Sequence, residues 1–176
     1  MSQATQHLDD ALLAEIERHA TELAGGGGAI LRRYFGTELE IEYKDESRND
    51  PVTGADKECQ DYLIQAILEQ YPDHGIVAEE EEDEDDSAAP DFVWVLDPLD
   101  GTKNFIGGLP IFACSVGVLY RGAPAAGAIY LPWPGESDGV VMHARLGGGT
   151  FLGGERLSLR DAGEASGIRL VGLPGS

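Results

Sequence analysis

From Ile76 onward the apolar residues gather in short runs broken by glycine and proline, whereas before it they recur at helical spacings, and this switch of period decides the fold class. Upstream, Leu8, Leu12, Ile16 and Leu23 trace an amphipathic helix over about residues 8–35. Cys59, Tyr62, Leu63, Ala66, Ile67 and Gln70 mark the buried stripe and flank of a second helix, Asp56 to Tyr71, which Tyr71-Pro72-Asp73-His74-Gly75 stops with turn residues. Downstream, strand-like runs fall at Ile76–Ala78, Phe92–Leu96, Phe112–Tyr120, Ala126–Leu131, Val140–Ala144, Thr150–Leu152 and Ile168–Val171. Two helices followed by mostly adjacent strands predict an α+β layer, in which two N-terminal helices cover one face of a largely antiparallel sheet. A chain of 176 residues can hold this as a single domain over 1–176.

Local features complicate the pattern. Gly25 to Gly28 interrupt the first helix, and each glycine costs about 1 kcal/mol relative to alanine in a helix interior. The run is therefore either a weak point held by packing or a break between two helices. No Lys-Ser or Lys-Thr follows it, so a phosphate-cradling P-loop is disfavoured. Ile41–Tyr43 reads as a short strand and Lys44–Gly54 as a polar loop. Glu79 to Asp86 is acidic at every position and reads as a solvated loop, apart from a carboxylate right at the strand end. Its spacing is not that of an EF-hand.

Charge limits the partners. Asp and Glu number 32 against 12 Lys and Arg, a formal charge of -20 that opposes nonspecific binding to nucleic acid or to an anionic membrane. Only Lys44, Lys57 and Lys103 are lysines, so an acidic, lysine-poor surface adapted to high salt stands beside the simpler reading of an acidic mesophilic protein. Salt screens self-repulsion, and a melting temperature that rises toward molar KCl distinguishes the two. No charged-then-apolar leader and no apolar run of about 18 residues occurs, which predicts a soluble, cytoplasmic protein. Cys59 and Cys114 form no CxxC and each sits in an apolar pattern, which predicts buried free thiols. His7, His19, His74 and His143 provide no i, i+4 metal-ligand pair.

The chemistry-bearing segment is Asp97-Pro98-Leu99-Asp100-Gly101-Thr102, directly after the run Phe92–Leu96. Two carboxylates three residues apart, in a turn shaped by proline and glycine, can aim at one point. Hard divalent cations take such oxygens, with water and phosphate completing the shell, and the Leu99 carbonyl can add a third. Gly101 and Thr102 can open a helical turn whose unpaired N–H groups face an anion. On spacing alone, an Asp-Gly turn behind a strand-end Asp97 is an equally complete explanation.

The stretch Trp94-Val95-Leu96-Asp97-Pro98-Leu99-Asp100-Gly101-Thr102-Lys103-Asn104-Phe105 resembles the signature of the inositol monophosphatase family. Asp50-Pro51-Val52-Thr53-Gly54-Ala55-Asp56 and Ile76-Val77-Ala78-Glu79-Glu80 resemble its two upstream elements, in order and spacing. The likeness continues through Phe112–Gly117 and Gly147–Phe151. The resemblance implies the first layer pair of the family's αβαβα sandwich and magnesium-dependent hydrolysis of small phosphomonoesters by metal-activated water. It implies that Glu79, Asp97 and the Leu99 carbonyl hold a first Mg2+, and that Asp97 and Asp100 share a second. Asp56 with Thr102 then orients or deprotonates the attacking water, and Asp100, Gly101 and Thr102 line the phosphate position. Lys44 and Lys103 stay outside this set. The implied substrate is a small phosphorylated metabolite, with inositol monophosphate the first choice by resemblance.

Departures from the family pattern carry their own expectations. Family members have a second half containing a Trp-Asp-x-Ala-Ala-Gly type motif that supplies another metal-ligating aspartate, and this chain has no such motif. Ala78 stands where the family commonly has glycine, and the acidic stretch after Glu80 is long. A missing second layer predicts exposed apolar side chains on one sheet face, and a partner that is either a second copy or a separately encoded second half. It also predicts millimolar magnesium dependence. The alternative reading is a catalytically inactive metal-binding module with an interaction or regulatory role.

Overall fold

The structure, a computed structural model, describes residues 9–43, 51–78, 90–133 and 138–158. Its elements are α1 (Asp10–Tyr34), β1 (Ile41–Tyr43), β2 (Pro51–Thr53), α2 (Gly54–Gln70), β3 (Gly75–Ala78), β4 (Phe92–Asp100), α3 (Thr102–Ile106), β5 (Ala113–Tyr120), β6 (Ala123–Leu131), β7 (Val140–Arg145), β8 (Gly149–Leu152) and β9 (Glu155–Leu157). The expected α+β arrangement is present. Strands β3 to β9 form one seven-stranded sheet in sequence order. Every neighbouring pair is antiparallel except β3 and β4, which run parallel. β1 and β2 make a separate antiparallel pair, so part of the expected 44–54 loop is strand. Leu8, Lys44, Glu79 and the expected strand at 168–171 lie outside the described residues.

Helix α1 runs unbroken through Gly25–Gly28, so the reading of two separate helices is corrected and packing accounts for the glycines. A Cβ built on Gly28 would run into the Tyr130 ring, and one on Gly27 would lie 2.7 Å from Cys114 Sγ and 2.9 Å from Cys59 Sγ. One on Gly26 would meet the Tyr62 hydroxyl, whereas Gly25 has only Val141 at 3.7 Å. The bare backbone of α1 therefore lies directly against α2, β5 and β6, and dispersion from this close approach offsets the poor helix propensity. Asp9 caps the start by accepting the Ala11 N–H at 3.0 Å, and Arg32 and Arg33 oppose the dipole in the last turn. The buried stripe is Leu13, Ile16, Ala20, Leu23, Ala24, Gly27 and Leu31. Leu12, expected on it, lies at its edge and is exposed, because the 3, 4, 3 spacing from Leu23 back through Ala20 and Ile16 arrives at Leu13.

The two faces of the sheet differ sharply. Trp94, Leu96, Val116, Val118, Ala128 and Tyr130 are buried beneath α1 and α2 in one core. On the alternate positions Val77, Val95 and Ile129 are 46%, 40% and 39% exposed, as expected for a sheet covered on one side. A registered row, Val77, Val95, Gly117, Gly127, Ala144 and Thr150, crosses this open face. Its small residues, flanked by Ile129 and Met142, leave a shallow apolar groove of about 260 Å3.

Polar bonds tie the first helix to a strand far along the chain. Buried Glu17 accepts from Arg145 Nη1 at 2.8 Å and lies 2.8 Å from His143 Nδ1, and Arg145 Nε also donates to Asp10 at 3.2 Å. Among the described residues no helix is long and apolar enough to cross a membrane.

Candidate active site

The acidic turn is built by a bulge. Asp97 stands opposite Ser115 and Asp100 opposite Ala113, so three steps along β4 match two along β5. Residues 98 and 99 fall out of the pairing, which suits a proline without an N–H and releases the Leu99 carbonyl from the ladder. The expected strand end at Leu96 is thus corrected: β4 continues to Asp100, with the kink inside it. Pro98 and Leu99 are buried, Asp97 is half-buried and Asp100 is exposed.

Gly101 reverses the chain at φ +86° and opens α3. A side chain there would face both left-handed strain and the Ile111 carbonyl at 2.8 Å from its Cβ. Asn104 holds that carbonyl in place through its Nδ2, at 2.9 Å, and its own carbonyl accepts the Leu109 N–H at 2.9 Å. Beside this turn lies a cleft of about 220 Å3, lined by Asp100, Gly101, Asn104, Phe112 and the half-exposed Trp133.

Asp56 reaches the turn from the first turn of α2. Thr53 and Asp56 form a reciprocal capping box, which starts the helix at Gly54, two residues before the expected Asp56. Asp56 Oδ2 accepts the Thr53 N–H at 2.8 Å and the Thr53 O–H at 2.6 Å, while Thr53 Oγ1 accepts the Ala55 N–H at 3.2 Å. The other oxygen, Oδ1, lies 3.4 Å from Thr102 Oγ1, which is 3.0 Å from the Leu99 carbonyl. One hydroxyl proton cannot serve both acceptors, and the shorter distance favours the carbonyl. Asp56 is 2% exposed, and that burial raises its pKa above the ordinary carboxylate value, against the opposing pull of the Thr53 hydrogen bonds.

The structure thus brings Asp56, Thr102 and the Leu99 carbonyl into direct contact, with Asp97 and Asp100 on the two ends of the same bulge and Gly101 between Asp100 and Thr102. Glu79 lies outside the described residues. Among the described residues no three His, Cys, Asp or Glu side chains gather as a metal-binding group. The donors at the turn are carboxylate, carbonyl and hydroxyl oxygens without thiol or imidazole, a set that fits Mg2+ rather than a softer metal. Two residues had no assigned role from sequence, Thr53 and Asn104. Thr53 was detectable as the threonine of a Thr-x-x-Asp cap. Asn104 had no such signal, because its partner Ile111 is fixed only by the loop it closes.

The described residues thus form a helix-backed, largely antiparallel sheet with one parallel edge pair, whose β4 carries a bulged, doubly acidic turn. The model of the inositol monophosphatase family matches residues 12–175, and the chain belongs to that family. It is 34% identical to the chloroplastic bifunctional phosphatase IMPL2 of Arabidopsis thaliana, over 94% of this chain and 46% of that protein. It is 36% identical to the fructose-1,6-bisphosphatase/inositol-1-monophosphatase of Aquifex aeolicus, over 77% of this chain and 49% of that one. The Nus factor SuhB of Escherichia coli K12 is 35% identical, over 88% and 57% respectively. Among solved structures, an IMPase of Thermotoga maritima superposes with a TM-score of 0.70 at 30% identity, covering 88% of this chain and 55% of that one. The chain spans about half the length of the curated relatives it matches.

Proposed function

We propose that this chain carries the metal-binding half of a magnesium-dependent phosphomonoesterase acting on small phosphorylated metabolites. The observation that carries this reading is the meeting of Asp56, buried and raised in pKa, with Thr102 and the Leu99 carbonyl at the bulge that bears Asp97 and Asp100. Asp97, Asp100 and the Leu99 carbonyl, with Glu79, would hold Mg2+. When bound, Mg2+ neutralises phosphate charge and makes the phosphorus more open to attack by water. Thr53 fixes Asp56 Oδ2 with two hydrogen bonds, so Oδ1 is the atom left to orient a water and take its proton, with the Thr102 hydroxyl beside it. The Gly101 and Thr102 amides, turned by the left-handed glycine, donate to the phosphate.

The open sheet face, with Val77, Val95 and Ile129 exposed, supports a further layer of structure that covers it. A second reading, a module that binds metal without turnover, is favoured by the likeness to a protein named as a Nus factor. Phosphate release from a panel of small phosphomonoesters, with and without Mg2+, separates the two. Turnover that needs Mg2+ and is lost in Asp97→Asn supports the hydrolase. A folded protein that binds Mg2+ and releases no phosphate supports the module.

A further inference from the structure

Cys59 on α2 and Cys114 on β5 meet in the core with their Sγ atoms 3.8 Å apart, and both are free and fully buried. That is van der Waals contact for two sulfurs, and a disulfide requires closure to about 2.05 Å. Room around the pair exists because Gly27 has no side chain: its Cβ would lie within 2.7 and 2.9 Å of the two sulfurs. The pair also sits directly behind the acidic turn. Cys59 follows Asp56 by one helical turn, and Cys114 precedes Ser115, the cross-strand neighbour of Asp97.

We propose that Cys59 and Cys114 form a reversible dithiol–disulfide pair, oxidised by hydrogen peroxide, that staples α2 to β5 beneath the candidate active site. The peroxide oxidises one thiol to a sulfenic acid, releasing one water. The other sulfur, giving up its proton, attacks that sulfur, forms the S–S bond and expels the second water. Two hydrogens leave the protein and the peroxide is reduced to two waters. Neither thiol reaches solvent, so the reaction runs through local opening and is slower than at a surface cysteine. In a reducing compartment the pair rests as thiols. The inference stands whether or not the chain hydrolyses phosphate.

The test uses the full chain under native conditions with hydrogen peroxide, followed by unfolding, alkylation and mass measurement. The expected result is a loss of about 2 Da in a monomer that no longer alkylates. One peptide pair joins Cys59 to Cys114, dithiothreitol restores both thiols, and the melting temperature of the oxidised form rises. Cys59→Ser and Cys114→Ser should each abolish the 2 Da loss and leave a monomer that takes one alkyl group before oxidation. Gains of about 16 or 32 Da without a crosslink, disulfide-linked dimers, or two thiols still alkylatable after overnight exposure overturn the proposal.

Discussion

Gly28 and Gly101 are both required as glycine, for different physical reasons. At Gly28 the backbone is ordinary helix, and what excludes a side chain is the Tyr130 ring, brought there from more than a hundred residues away. At Gly101 the obstacle is first the backbone itself, at φ +86°, with the Ile111 carbonyl as a second barrier. The first glycine serves close packing of a dry interface and the second serves chain reversal at a polar site. A glycine whose need is local can be read from its neighbours in sequence, whereas one whose need is tertiary looks like a defect until its partners are placed.

The site side of this contrast gives the largest expected effect. Asp56→Asn removes the proton acceptor and should lower Mg2+-dependent phosphate release by about 100-fold or more; near-normal rates in a steady-state assay would remove Asp56 from the mechanism. On the packing side, Gly28→Ala should destabilise the fold by about 2–3 kcal/mol in urea unfolding, since overpacking outweighs the better helix propensity of alanine. A neutral or stabilising result would show that α1 does not lie against Tyr130 as described. Gly101→Ala should cost about 1–2 kcal/mol from left-handed strain, and should weaken phosphate release more than its stability loss explains. Equal loss in both would reduce Gly101 to a plain turn residue.

Smaller effects sharpen the comparison. The raised pKa of Asp56 means that the folded, metal-free chain holds this proton more tightly than the unfolded chain. Its stabilising contribution is complete below the ordinary carboxylate pKa of about 3.9 and disappears as pH rises through the raised value. In EDTA, the melting temperature of Asp56→Asn should therefore gain on the wild type as pH rises from about 4 through the raised value. A gap that is flat or shrinks would contradict the cost of burying this charge. Gly25→Ala provides the control within the glycine run: with only Val141 at 3.7 Å from the added Cβ, it should stabilise by about 0.5–1 kcal/mol.

The switch of period at Ile76 revealed α1, α2 and β3 to β8, because their apolar runs stand out between glycine and proline. β2 and β9 are three residues each, uniformly buried or uniformly exposed, and carry no alternation to detect. The parallel β3–β4 pairing and the bulge at Asp97–Asp100 are matters of register, which side-chain type does not encode. Asp97 and Asp100 stood out as two carboxylates three residues apart in a turn shaped by proline and glycine, and the resemblance to the family signature supplied their expected role. The state of Asp56 required its surroundings: burial and Thr53 decide it. In the same way Cys59 and Cys114 showed from sequence only that they are apolar, and their proximity is a product of how α2 crosses β5.

The clasp between Glu17 and the pair His143 and Arg145 spans 126 and 128 residues of chain. Among the described elements helix α1 leaves the ribosome first, yet β5, β6 and β7, on which it rests, follow only after α2, β3 and β4. During synthesis its apolar stripe must wait, without its final cover, until β7 has been made. Rearranging the gene so that α1 is translated after β9 would shorten that wait, and should raise the yield of soluble protein without changing a single contact of the finished fold.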